Sequence, residues 1–385
     1  MLSIALEIQL VAVVVAVACA LPGVFLVLRR MSLMSDAISH TVLLGIVLAF
    51  FLTRNMASPL LMLGAAATGV LTVALVEALR RTGLVREDTS IGLVFPALFS
   101  IAVLLIARYA GNVHLDTDAV LLGEIAFAPF RRLEVGGIDL GPRTLYVMGG
   151  ILVLELVVIV AFYKELKLST FDPALAAALG FSPVLLHYAF MGLVSITAVG
   201  AFDAVGSILV VALMIAPPAA AYLLSDRLAV VLLLSAGLAA VAALGGFWIA
   251  WWVDASIAGC MAAAAGVIFM TALLFGRERG LLALAHRRRR QRVDFAQLML
   301  TIHLLQHEGT AAAVPESRES HLGEHLRWTP EFARRVVRGA AREGWIERGA
   351  DGVLRLTPRG RAAAVRTLGE TSPGTNGGRM EWQEA

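Results

Sequence analysis

Nine stretches of this chain, at about 4–28, 32–53, 58–80, 91–108, 144–163, 184–200, 205–224, 228–250 and 256–275, are apolar over nearly their whole length. Runs of about 20 such residues cross the ~30 Å hydrocarbon layer of a bilayer as helices. In lipid every backbone N–H and C=O must find its partner inside the protein, which leaves helices or closed barrels as the only spanning folds. Runs this long predict helices, so the expected fold class is an all-α polytopic membrane protein with about nine transmembrane helices. A tenth piece, TDAVLLGEIAFA at 117–128, is too short to span comfortably and reads as re-entrant. The first run has no basic segment before it, and Arg29 and Arg30 follow it, so it is expected to remain on the mature protein and not to be a cleaved leader.

Charge divides the chain into two regions. Residues 1–276 hold 13 of the 32 Lys and Arg, and the remaining residues hold 19 against 13 Asp and Glu. The expected domains are a transmembrane unit at 1–276, a basic linker at 277–292, a soluble unit at 293–370 and a disordered tail at 371–385. With the basic tail in the cytoplasm, nine crossings make 29–31, 81–90, 164–183 and 225–227 cytoplasmic. Those segments and adjoining helix ends carry Arg29, Arg30, Arg80, Arg81, Arg86, Lys164, Lys167 and Arg227, as the positive-inside rule prefers. Cys19 and Cys260 lie far apart in apolar runs, which argues against a disulfide framework or a thiolate metal site.

One apolar run opens with an acid and an imidazole. In MSLMSDAISHTVLLGI, at 31–46, Asp36 and His40 stand four residues apart. That spacing places both on one helix face, where a carboxylate oxygen and a ring nitrogen can converge on a divalent cation. Ionisable groups in a span cost at least ~2.5 kcal/mol and usually face a bundle interior or a water-filled path. The competing reading makes Asp36 a helix-capping residue beside Ser32 and Ser35, with His40 bonded to a neighbouring carbonyl. A proton relay is a third use of the same pair.

MSLMSDAISHTVLLGI resembles the signature of the metal-cation permease family, the membrane subunits of bacterial ABC importers for manganese, zinc and iron. VGSILVVALMIAPPAAAYLL at 205–224 is similar to a second stretch of that family. STFDPALAAALGFSP at 169–183 resembles its ATPase-coupling loop. The resemblance covers about 5–275 and implies an ABC importer permease fold in a bacterial cytoplasmic membrane, with Asp36 and His40 as ligands in the translocation path. It also implies several partners: a cytoplasmic ABC ATPase dimer, an extracytoplasmic metal-binding protein and a second permease chain, identical or paralogous. No GxxxxGK[ST] loop occurs in the chain, so ATP belongs to the partner and the chain is expected not to be an enzyme. No cofactor is expected to be permanently bound. The transported ion is Mn²⁺, Zn²⁺ or Fe²⁺, with manganese favoured because oxygen donors are plentiful and the motif lacks Cys.

For coupling, Ser169, Thr170 or Asp172 can begin a short helix, Pro173 suits its first turn and Gly180 ends it. Glu155 falls in mid-span and reads either as a buried hydrogen-bonding group or as a secondary path residue. Asp203, Asp254, His114, Asp116, Asp118 and Glu124 are outer-side acids and imidazole that could attract cations or a binding protein. Gly200, Gly206, Gly245 and Gly246 read as close-packing positions.

After HRRRRQR at 286–292, a run suited to anionic lipid, the pattern becomes soluble. An amphipathic helix, a loop with Pro315, a helix from Pro330 with Thr329 as N-cap, a strand–Asp-Gly–strand hairpin and a short helix follow. That order predicts a small α/β winged helix-turn-helix. AAREGWIERGADGVLRLTPRG is similar to the DNA-binding half of diphtheria-toxin-repressor-type, metal-dependent regulators. Arg334, Arg335, Arg338 and Arg342 on the second helix are the candidate DNA or partner contacts. Nucleic acid is nevertheless not the expected partner, because the domain is tethered to a membrane. The pairs His303/His307 and His321/His325 read as surface histidines or a metal sensor. Two further functions fit parts of this pattern: a proton-coupled secondary transporter, and a membrane-tethered metal-responsive regulator.

Overall fold

The computed structural model describes residues 2–55, 58, 60–109, 125–135, 138–277, 279–309, 313–319, 321–322, 326, 328–349 and 352–370. The chain divides into two compact units, Met1–Leu281 and Leu282–Ala385.

Among the described residues the first unit has nine helices long and apolar enough to cross a membrane. They lie in α1 (Leu2–Leu28), α2 (Leu33–Thr53), α3 (Leu60–Arg81), α4 (Glu87–Tyr109), α5 (Arg143–Ala161), α8 (Pro183–Val205), α9 (Ser207–Leu224), α10 (Leu228–Val253) and α11 (Ile257–Phe275). Two short helices, α6 (Tyr163–Phe171) and α7 (Pro173–Ala178), join α5 to α8. Within its apolar window α1 is 72% buried, whereas α4 and α11 are each 22% buried, so α1 is central and the other two peripheral. α1 packs on α5, α9 and α10, while α2 lies on α3, α4 and α8. Pro22, Pro96, Pro217 and Pro218 sit inside helices, as membrane bundles tolerate where neighbouring groups satisfy the freed carbonyls.

Small residues bring α2 and α3 together. A Cβ placed on Gly45 would lie 2.2 Å from the Gly64 carbonyl oxygen, and one on Gly64 would lie 2.7 Å from that of Gly45. The crossing therefore excludes any side chain at either position, and Thr72 Oγ1 donates to Thr41 Oγ1 at 2.8 Å beside it. Of the four glycines expected to pack closely, Gly200 does so against Ile151 and Gly246 against Met261, but Gly245 faces open space. Gly206 serves a turn instead, with φ +78° between α8 and α9.

The segment 117–128 is described only from residue 125, where Ile125–Phe130 forms a 3₁₀ turn; residues 117–124 lie outside the described residues, as do His114, Asp116, Asp118 and Glu124. A two-stranded hairpin follows, β1 (Arg132–Val135) and β2 (Ile138–Pro142), paired Arg132 with Pro142. The sequence pattern marks no strand in this stretch. Arg132 bonds Glu7 at 2.9 Å and Asp139 at 2.7 Å, and Arg131 bonds Asp203 at 3.0 Å. The hairpin, the start of α1 and the end of α8 thus meet at one end of the bundle. Gly141 N–H and Arg132 hold the Asp139 carboxyl below the usual carboxylate range. Asp254 closes α10 in the left-handed conformation, φ +55°.

The second unit runs α12 (Leu281–His307), α13 (Ala313–Glu316), α14 (Pro330–Arg342), β3 (Ile346–Arg348), β4 (Leu354–Leu356) and α15 (Pro358–Glu370). The basic run 286–292 is helical within α12, since Ala, Leu, Arg and Gln are all good helix formers. α14 starts at Thr329 and Pro330 as its sequence implies, although the Thr329 hydroxyl makes no capping bond. β3 and β4 are antiparallel, with Ile346 opposite Leu356 and Gly352 at φ +75° in the turn. Ala296, Leu300 and Leu304 of α12 form a core with Ala333, Val336, Val337 and Ala340 of α14 and with Ile346 and Leu354 of the hairpin. His325 and residues 371–385 lie outside the described residues.

Candidate ion-translocation site

Asp36 occupies the first turn of α2, and His40 stands one turn further on. Their contact is Asp36 Oδ1 to His40 Nε2 at 3.5 Å, too long for a strong hydrogen bond and close enough for both atoms to face one cation. Both side chains keep contact with the outside of the chain, His40 at 25% exposure and Asp36 at 44%. The capping alternative fails on its particulars. Ser32 is the N-cap residue but makes no side-chain cap. Ser35 Oγ donates to Ser32 O at 2.8 Å, and Ser39 Oγ donates to Ser35 O at 2.8 Å, so both serines bond back along their own helix. Among the described residues neither Asp36 nor His40 has a backbone partner.

What surrounds His40 is aromatic. Phe95 and Phe99, one turn apart on α4, flank its ring at centroid separations of 5.1 and 6.0 Å. They restrict the imidazole without occupying either nitrogen. Sequence reasoning missed this cradle, because only the packing of α4 on α2 brings the two phenylalanines to His40. Among the described residues no group of three or more His, Cys, Asp or Glu is placed to hold a metal, so the pair supplies two donors and no third.

Glu155 is held elsewhere. It lies mid-way along α5, is fully buried, and accepts a short hydrogen bond from Thr197 Oγ1 of α8, while its second oxygen has no hydrogen-bond partner among the described residues.

The segment expected to couple to an ATPase is built by local rules. Asp172 is the N-cap of α7, accepting from Leu175 N at 2.9 Å, and Pro173 takes the first turn. Gly180 turns the chain with φ +88°, and Gly180 N–H and Phe181 N–H return to the carbonyls of Ala177 and Ala176 at 3.0 and 3.1 Å. Ser169 and Thr170 do not begin this helix; they end α6, where Arg29 binds both. Within α7 only Ala176 is buried, and Phe171, Leu175, Leu179 and Phe181 are exposed around it. Those four apolar side chains form an exposed patch that alanine-rich sequence patterning conceals.

In the second unit Arg334, Arg335, Arg338 and Arg342 are all exposed along α14, opposite its buried face of Ala333, Val336, Val337 and Ala340. His303 and His307 approach to 4.7 Å between ring centroids.

Among the described residues, nine apolar helices, an acid–imidazole pair at the head of one and a capped short helix between two others fit a polytopic membrane protein. The chain belongs to the ABC 3 transport family, whose model matches residues 1–276. It is 50% identical over 364 residues to the zinc transport system membrane protein TroD of Treponema pallidum (strain Nichols), covering 94% of this chain and 98% of that protein. A match that long necessarily runs past residue 276 into the second unit. It is 48% identical over 270 residues to the manganese transport system membrane protein MntD of Bacillus subtilis (strain 168), covering 70% of this chain and 91% of that one. The solved structure of PsaBC from Streptococcus pneumoniae in complex with Fab superposes with TM-score 0.60 at 28% identity, covering 72% of this chain and 94% of that chain. The protein is thus a multi-pass ABC-transporter membrane subunit and is not itself the ATP-hydrolysing component. Such a component works with an ATPase and a binding protein.

Proposed function

We propose that this chain is the permease of an ATP-driven importer for divalent first-row transition metals, and that Asp36 and His40 are the transient ligands of the ion. The carrying observation is the 3.5 Å approach of Asp36 Oδ1 to His40 Nε2, with both groups partly exposed. Two donors cannot strip much of a hydration shell. A second permease chain across a twofold axis would complete a set of two carboxylates and two imidazoles, enough to hold an ion in passage without trapping it. Relatives named for zinc and for manganese support the substrate class. The expected preference for manganese weakens on this donor set: a four-ligand O/N site suits zinc, and affinity for a given site rises from Mn²⁺ to Zn²⁺.

Asp172, Pro173 and Gly180 shape the segment that meets the ATPase, and its exposed Phe171, Leu175, Leu179 and Phe181 support that reading. Arg29 lies at the same end of the bundle as Ser169 and Thr170, and Arg279 pairs with Asp226. By the positive-inside rule, these basic residues support the orientation in which the amino terminus is outside and the second unit is cytoplasmic. That unit is read as a winged helix whose arginine face meets an acidic partner surface, with regulation of uptake as its role. Residues 277–292, 293–370 and 371–385 keep their proposed boundaries as basic segment, domain and tail.

The test is uptake of radioactive manganese and zinc into vesicles holding the chain with its ATPase and binding protein. Uptake should require ATP, survive an uncoupler, and show zinc competing with manganese. Uncoupler-sensitive, ATP-independent uptake would make the chain a secondary transporter. A chain ending at residue 292 should transport with altered dependence on internal metal; unchanged dependence would remove the regulatory reading.

A further inference from the structure

Arg29 follows the last residue of α1 and reaches across the bundle end. Its Nε donates to Thr170 Oγ1 at 3.1 Å and its Nη2 to Ser169 Oγ at 3.1 Å, both in the last turn of α6, just before the Asp172 cap. The guanidinium carbon stands 5.1 Å from the ring centroid of Phe190 on α8. Phe190 is 2% exposed and meets Phe25 of α1 edge-on at 5.4 Å. One side chain therefore touches α6 and α8 while anchored on α1. Among the described residues no carboxylate pairs with it. Burial lowers its pKa to about 10, which leaves it charged at neutral pH.

The turn after Arg29 carries little slack. Arg29 N–H returns to Phe25 O at 2.9 Å and Met31 N–H to Leu26 O at 2.9 Å, with Arg30 left-handed at φ +60° between them. α2 begins at Leu33, and Asp36 lies in its first turn. Any movement of the α6–α7 segment that displaces Ser169 and Thr170 therefore pulls on the start of the helix that holds Asp36 and His40. On its other side the same guanidinium bears on α8, which packs against α2 and is tied to α3 by Ser195 Oγ donating to Ala66 O at 3.0 Å. Two neutral hydroxyls and a ring face hold the arginine, a set that exchanges partners more readily than a buried ion pair would.

We propose that Arg29 is a positioning residue that transmits movement of the ATPase-coupling segment to α2 and α8, and so sets when Asp36 and His40 change access. This rests on the coupling role proposed for 172–180.

The experiment uses the full complex in liposomes, with manganese as the probe, and reads metal taken up per ATP hydrolysed. Arg29→Ala should lower that ratio at least fivefold while the ATPase still co-purifies and hydrolyses ATP. The pair Ser169→Ala with Thr170→Val should do the same, and combining it with Arg29→Ala should add nothing. Arg29→Lys keeps the charge over Phe190 without the two-pronged bond and should fall between. If Arg29→Ala does not accumulate in the membrane, the lysine variant and the hydroxyl pair carry the test alone. A ratio within twofold of wild type, or additive losses, would overturn the proposal. A Leu179→Cys variant separates the two levels of inference. Cross-linking to the ATPase with an unchanged ratio in the Arg29 variants sinks only the role of Arg29, whereas absence of any cross-link sinks the coupling reading beneath it.

Discussion

Of the ionisable side chains inside apolar helices of the membrane unit, two sets are built in opposite ways. Asp36 and His40 face each other at 3.5 Å, partly exposed and, among the described residues, without backbone partners. Glu155 is sealed, and Thr197 reaches across from α8 to one of its oxygens. A polar group in a bilayer must be satisfied by the protein or left for something that passes. Glu155 is satisfied on one side by its own bundle. The pair on α2 is open, as the cation-ligand role proposed for it requires. The contrast teaches that, inside a membrane, accessible incompleteness marks function better than the presence of charge does.

The largest effect should come from the open pair. Asp36→Ala and His40→Ala should each cut metal uptake by well over about tenfold, since even groups that only orient a metal ligand cost roughly 10–100-fold. Both variants should still assemble with the ATPase, because both side chains are partly exposed and lie in the first two turns of α2. Uptake assays alongside co-purification check this, and normal transport in both would erase the distinction between the two places. A smaller loss should follow from the cradle. Phe95→Ala frees the His40 ring without removing a donor, and aromatic contacts are worth about 0.5–1.5 kcal/mol. The expected outcome is a KM for metal raised about two- to tenfold with maximal uptake little changed, measured from the concentration dependence of uptake.

How legible these features were in the sequence follows from the range of each interaction. Asp36 with His40, and Asp172 with Leu175, are contacts within one or two turns, so spacing and capping rules place them correctly. The spans are equally legible, because hydrophobic length acts residue by residue. The α14 face is local too: arginines at 334, 335, 338 and 342 alternate with the buried residues at helical period. What pattern could not supply is pairing across the bundle. Thr197 is 42 residues from Glu155, and Thr170 is 141 from Arg29. Phe95 meets His40 only through the packing of α4 on α2. The hairpin at 132–142 escaped for a different reason, since its strands are four and five residues long and hold Arg, Asp, Gly and Pro. Its pairing is reinforced by the contacts of Arg132 with Asp139 and Glu7.

The mildest substitution is the sharpest probe of the sealed place. Glu155→Gln keeps the side-chain length and can still hydrogen-bond Thr197 Oγ1, so the tie between α5 and α8 survives. Uptake should stay within about threefold of wild type, a difference of less than about 1 kcal/mol. Glu155→Ala instead removes one partner of a buried contact and opens space between the two helices. Leaving a buried hydroxyl unpaired costs about 1–3 kcal/mol, which Thr197 partly recovers through Leu193 O at 3.0 Å. The alanine variant should therefore lose thermal stability in detergent without losing metal selectivity. If the glutamine variant abolishes uptake while its melting temperature is unchanged, the carboxylate must be reached by the ion at some stage of transport. Glu155 would then belong to the path, and burial in one conformation would no longer separate the two places.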